Sequence, residues 1–174
     1  MIEYCKLRGS WMKKPAWLGV AIAAVAGALP GCDYLNVKEL KPGVSTAVEV
    51  RARMGQPTAE YTNPDGSVTW EFNRQPNGIE CYMATIGSDQ ILRKIEQVLT
   101  EANLAKITAG MDRADVQRLI GRPGSVVTYA NSNEEVWDWR VAGTIPTEEA
   151  HFHAHFDPAG GLVTRTSRRI EPKG

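Results

Sequence analysis

Cysteine is scarce in this chain, with three in 174 residues, at positions 5, 32 and 81. Too few thiols are present for a disulfide framework to define the fold. Net charge is also missing: 20 cations face 20 anions, so the basic footprint of a nucleic-acid binder is absent and no nucleic-acid partner is expected. The most apolar stretch, Ala16 to Leu29, holds 14 residues, whereas a helix needs roughly 20 to span the hydrocarbon core. No Gly-x-Ser-x-Gly elbow, phosphate loop or dinucleotide fingerprint occurs. The three histidines have no hydroxyl or thiol placed for activation, so nothing supports acid–base or nucleophilic catalysis. The expectation is a protein that is not an enzyme and carries no cofactor.

What is present begins at Met12. Lys13 and Lys14 precede the apolar stretch, and Leu29-Pro30-Gly31-Cys32 follows it. A positive start, a short apolar centre and a small-residue junction are the parts of a signal peptide. Residues 12–31 are therefore expected to be that peptide, with Met12 the true start and residues 1–11 a non-native upstream extension. No twin arginine precedes the apolar stretch, which favours the general secretory route.

Leu29-Pro30-Gly31-Cys32 resembles the lipobox of bacterial lipoproteins, with an aliphatic residue three before the cysteine and a small residue directly before it. The resemblance implies cleavage before Cys32, a diacylglycerol thioether on its sulfur and an acylated amino group. Two or three acyl chains, at ~0.8 kcal/mol per buried methylene, hold a protein on a membrane where one would not. Removing Lys6, Arg8, Lys13, Lys14 and Glu3 with the leader leaves 16 cations against 19 anions. Cys81 is then the only free thiol, so packing rather than disulfides must stabilise the mature domain, despite an oxidising compartment.

The remaining chain reads as one unit written twice. Gly43 and Gly110 each precede a helix, Trp70 and Trp137 each lie in a strand, and both pairs are 67 residues apart. Gly55-Gln56-Pro57 corresponds to Gly121-Arg122-Pro123 at offset 66, and Tyr82 to Ile86 corresponds to Phe152 to Phe156 at offset 70. Thr46 and Glu49 have capping-box spacing, and Gly55 can supply a left-handed stop that Pro57 seals. In the second copy Asp112 caps Ala114 to Ile120, and Gly121 and Pro123 end the helix. The period then changes from helical to alternating. Val68, Trp70 and Phe72 share one strand face, and Trp137, Trp139 and Val141 repeat the arrangement. Thr100 to Lys106 reads as a short capped helix, with Val37 to Lys41 as its shorter counterpart.

The expected fold class is α+β: two tandem repeats, each a short helix or helix pair packed on a 3–4 stranded antiparallel β-meander. The units are expected at 32–99 and 100–174. A unit of ~65 residues is marginal alone, so the two sheets should pack together or join edge to edge, and unfold as one.

With these residues in view, the chain resembles the SmpA/OmlA, or BamE-like, family of outer-membrane lipoproteins. The resemblance rests on Ile107 to Val116, on Leu119-Ile120-Gly121-Arg122-Pro123, on the strand Val136-Trp137-Asp138-Trp139, and on Phe156-Asp157 through Gly161-Leu162-Val163. Leu40 to Ser45, Gly55 to Pro57 and Trp70 to Phe72 form a looser first version. The family implies a helix-plus-sheet domain facing the periplasm that supports β-barrel assembly or envelope integrity. Assembly-factor members carry one unit and this chain carries two. The tandem arrangement also resembles β-lactamase inhibitor proteins, in which two units form a concave binding face.

Three further features draw attention. Alternation places His151, His153 and His155 on one strand face, neighbours about 7 Å and the outer two about 13 Å apart, so that sharing one zinc, with Glu148 or Glu149 completing the site, requires full side-chain extension or a bent strand. A polar or partner-facing stripe is the favoured reading, with no stoichiometric zinc. Trp70, Trp137 and Trp139 are expected in the core rather than as interface anchors. Cys81 corresponds to His151 and is expected to be an incidental, partly covered thiol.

The function expected is a non-catalytic lipoprotein, anchored through lipid on Cys32, whose protein partner belongs to the β-barrel assembly machinery or the wider envelope. The alternatives are an inhibitor-like module for a periplasmic or cell-wall enzyme, and a metal sensor built on the histidine stripe. In enterobacterial lipoproteins an aspartate after the lipidated cysteine favours inner-membrane retention, so Asp33 competes with the outer-membrane address of the resembled family. The outer membrane, facing the periplasm, is the expected location.

Overall fold

Each unit starts with a capped helix because its sequence satisfies the free donors of the first turn. At α2 (Ala47–Met54) the Glu49 N–H donates to Thr46 Oγ1, and the Thr46 N–H donates back to Glu49 Oε2 at 2.7 Å, a closed capping box. At α4 (Arg113–Ile120) the Asp112 carboxylate accepts the Asp115 N–H at 2.8 Å. Gly55 and Gly121 end these helices with φ of +85° and +84°. In both, ψ is extended rather than left-handed helical, which sends the chain straight toward the next strand.

The computed structural model describes residues 32–145 and 148–172. The expected leader and upstream extension lie outside the described residues. Among the described residues no helix is long and apolar enough to cross a membrane. The fold is α+β in two tandem units. The first has α1 (Cys32–Glu39), α2, and an antiparallel sheet in the order β1 (Ala59–Thr62), β2 (Val68–Asn73), β3 (Cys81–Ile86), β4 (Leu92–Gln97). The second has α3 (Glu101–Leu104), α4, and a sheet in the order β5 (Ser125–Tyr129), β6 (Glu134–Ala142), β7 (Glu148–Phe156), β8 (Val163–Pro172). Helix α1 starts at Cys32, earlier than the Val37 start read from the sequence.

The repetition is visible in the backbone. Gly43 N–H donates to Leu92 O and Gly110 N–H to Val163 O, both at 2.8 Å. Isolated bridges join Thr46 to Ile91 and Asp112 to Leu162 at equivalent places. Each helix start is thus tied to the fourth strand of its own sheet.

The sheets remain separate and four-stranded, so they do not join edge to edge. Trp70, Phe72, Tyr82, Ala84 and Ile86 pack with Val50 and Met54 of α2 in one core. Trp137, Trp139, Phe152, Ala154 and Phe156 pack with Val116 and Ile120 of α4 in a second, which also takes in Cys81 and Met83 from the back of β3. The resulting order of layers is first helices, first sheet, α3 and α4, second sheet. Because α4 is covered by both sheets, cooperative loss of both units in one unfolding transition is expected.

The back of the first sheet is therefore a seam, and this is what hides Cys81 completely. The sequence placed this thiol as partly covered; α4 closes over it. Burial and the Glu71 carboxyl push the thiol well above its ordinary pKa. It is expected to resist thiol reagents at neutral pH until the protein unfolds. A Cβ at position 121 would overlap the Cys81 sulfur, at a backbone φ that side chains rarely adopt. Gly121→Ala should cost about 1–3 kcal/mol, measured by urea denaturation. Adding Cys81→Ala should recover only the packing part of that loss.

Candidate functional site: the outer face of the second sheet

Alternation along β6 and β7 sorts the second sheet into two chemistries. Trp137 faces Ala154 and Trp139 faces Phe152 on the inner side, where the aromatic rings meet at tilted angles. The outer side carries Asp138 opposite His153, Arg140 opposite His151 and Val136 opposite His155. Strand β8 adds Arg169, Ser167 and Arg165 beside the same three histidines. This outer face lines an open depression of about 770 Å³, to which Val127 and Tyr129 of β5 also contribute.

One carboxylate, Asp138, holds two of the three histidines. His151 Nδ1 lies 3.0 Å from both Asp138 oxygens, and His153 Nε2 lies 2.8 Å from Oδ2. His155 Nε2 meets Ser167 Oγ at 2.8 Å, while its Nδ1 lies 3.5 Å from Glu134 Oε2 and makes no hydrogen bond. The first two rings stack 6.3 Å apart with planes 15° from parallel, and the third turns to 66°. His151 and His153 thus share Asp138 on the neighbouring strand β6, while His155 is turned toward Ser167 on β8. Among the described residues no group of three His, Cys, Asp or Glu side chains is placed to hold a metal. Glu149 is taken by Arg140 at 2.7 Å, and Glu148 accepts the N–H groups of Thr144 and Ile145.

Asp138 is the residue that sequence reasoning missed. Its outward position followed from alternation, but its role depends on the register that sets it opposite His153. The β6–β7 pairing could have been anticipated from the repeat, since Trp70 faces Ala84 in the first sheet as Trp137 faces Ala154 in the second.

The histidines give this face a pH response. His153 is held below the ordinary imidazole value of 6.5, chiefly by burial and also by His151 and Arg169, against the pull of Asp138. His155 is lowered by burial and by Arg165, against Glu134. A histidine with a lowered pKa favours the neutral form when folded. Its contribution is complete above about pH 6.5 and declines as pH falls below that value, where the unfolded chain takes the proton more readily. Urea midpoints should therefore fall between about pH 7.5 and about pH 5.5, and His153→Gln with His155→Gln should flatten that fall. Glu134 and Glu135 respond at lower pH. Opposed by burial, Glu134 is held down by Arg165; Glu135 is held down first by Arg113.

The class this architecture defines is a two-unit α+β module with a buried seam and one polar, histidine-bearing sheet face. Residues 96–160 match the family model described as the outer membrane protein assembly factor BamE domain, so the resemblance read from the sequence is borne out over α3, α4 and the first three strands of the second sheet. No curated protein matches the chain. Among solved structures it is similar to a "putative beta-lactamase inhibitor protein" from Streptococcus mutans, at 11% identity and a TM-score of 0.33, over 80% of this chain and 96% of that one. It is also similar to a DUF4309 family protein (YjgB) from Bacillus subtilis, at 13% identity and a TM-score of 0.28, over 77% and 82%.

Proposed function

We propose that this protein is a non-catalytic, lipid-anchored module of the bacterial outer membrane that faces the periplasm and docks a protein partner during β-barrel assembly or envelope maintenance. The observation that carries this reading is the BamE-domain match across α4 and β5–β7, joined to the lipobox ending at Cys32. The docking surface is the outer face of the second sheet, where Val127 and Tyr129 line the same open depression as the histidines. Aromatic and aliphatic side chains beside polar groups suit a protein interface.

Deletion of the gene tests the function. Reduced levels of folded outer-membrane barrel proteins, restored by the wild-type gene but not by a Cys32→Ala copy, are expected. Unchanged barrel levels together with an intact permeability barrier would contradict it. Capture of a cell-wall enzyme by the module, with loss of that enzyme's activity on binding, would replace it with the inhibitor reading.

A further inference from the structure

Helix α1 begins at Cys32 itself, and the next residue is already fixed to the fold. Arg74, at the end of β2, grips Asp33 with two hydrogen bonds, Nε to Oδ2 at 2.5 Å and Nη2 to Oδ1 at 2.9 Å. Arg74 also donates to Met54 O at the end of α2. Farther along α1, Asn36 donates to Arg53 O, and Arg53 pairs with Glu39. Among the described residues no flexible tether separates Cys32 from the domain.

Apolar side chains are exposed around this same end. Tyr34 and Leu35 are 59% and 63% exposed, although Leu35 is only one helical turn beyond Cys32. Lys38 lies over the Tyr34 ring at 4.3 Å. In the turn after β2, Arg74 N–H donates to Glu80 O, and the adjacent Ile79 is 41% exposed. Ile145, 51% exposed, flanks the same cleft as Ile79. Gln75 fastens this turn to the second sheet through both polar groups of Arg140's backbone, at 2.6 and 3.0 Å.

We infer that the protein is seated directly on the bilayer by this end, with Tyr34, Leu35, Ile79 and Ile145 at the headgroup level rather than in water. This rests on the anchor at Cys32 proposed above. Three residues of helix rise roughly 4.5 Å, so lipid on Cys32 brings Leu35 within the 5–10 Å depth of interfacial side chains. A tyrosine with a lysine across its ring suits that level, the ring in the apolar boundary and the ammonium among lipid phosphates. The occupant is a lipid surface because the attachment point leaves no room for another partner between the bilayer and α1. Strands β6 and β7 then lead away from the membrane, and the histidine face opens sideways into the aqueous space.

Nitroxide depth measurements on the acylated protein in phosphatidylethanolamine–phosphatidylglycerol vesicles test the seating. The single-cysteine positions are Leu35→Cys, Ile79→Cys and, at the opposite end of the second sheet, Leu162→Cys; buried Cys81 does not compete for the label. The expected result is several-fold stronger relaxation by oxygen than by a nickel chelate at 35 and 79, and the reverse at 162. Aqueous behaviour at all three positions in protein shown by mass spectrometry to be acylated would overturn the seating and leave the anchor standing. A free, unacylated Cys32 would overturn both.

Discussion

Glu71→Ala is expected to lower stability by about 3–5 kcal/mol, because the side chain it removes sits in the seam with three donors pointed at it. Glu71 is fully buried on β2. Its carboxyl accepts the Tyr61 hydroxyl at 2.6 Å, the Asn73 amide at 3.0 Å and the Arg122 N–H just beyond α4 at 3.0 Å. Burial and the Glu71 carboxyl push the Tyr61 phenol well up, so the hydroxyl keeps its proton and remains a donor. Truncation leaves these donors facing a small void and removes a link between units that lie 51 residues apart at this contact. Glu71→Gln keeps the volume and one acceptor and should cost distinctly less, as read by thermal unfolding. Equal losses for the two variants would mean that filling the space, rather than hydrogen bonding, holds the seam.

Trp139→Ala should be comparably severe, at about 3–5 kcal/mol or roughly 10–20 °C in midpoint. Trp139 is fully buried, and its indole N–H donates to Gly121 O at 3.1 Å, where α4 stops. It therefore fills the second core and also satisfies a carbonyl that the end of a helix leaves open. Trp139→Phe should recover most of the packing but not the hydrogen bond. A midpoint for Trp139→Ala within two degrees or so of wild type would remove this residue from the core.

Local chemistry made much of the fold readable. The caps at Thr46 and Asp112, the stops at Gly55 and Gly121 and the alternation around Trp70 and Trp137 are determined by neighbours within a few positions. The repeat carries each signal twice, in the same order. What could not be read was set by partners far along the chain. Glu71 looks like a solvent-facing strand residue until Arg122 arrives against it, and Cys81 looks partly covered until α4 closes over β3. Helix α1 was read too short because its first residues show little amphipathic pattern; the Asp33–Arg74 pair, 41 residues apart, fixes them instead. In the candidate site the histidine stripe was legible from period two alone. The contact of Asp138 with His151 and His153 was not, because a cross-strand pair requires the register as well as the period.

The outer face of the second sheet is the surface we propose for docking a protein of the outer-membrane assembly apparatus. Photo-crosslinking in living cells tests it most directly, with a photoreactive amino acid placed at Tyr129 beside the histidines, and at Val48 on exposed α2 for comparison. A discrete adduct containing a β-barrel assembly component, formed from position 129 and not from 48, is the expected result. Adducts equally abundant from both positions, or none with any assembly component at position 129 in cells where the protein is present at its normal level, would contradict the account.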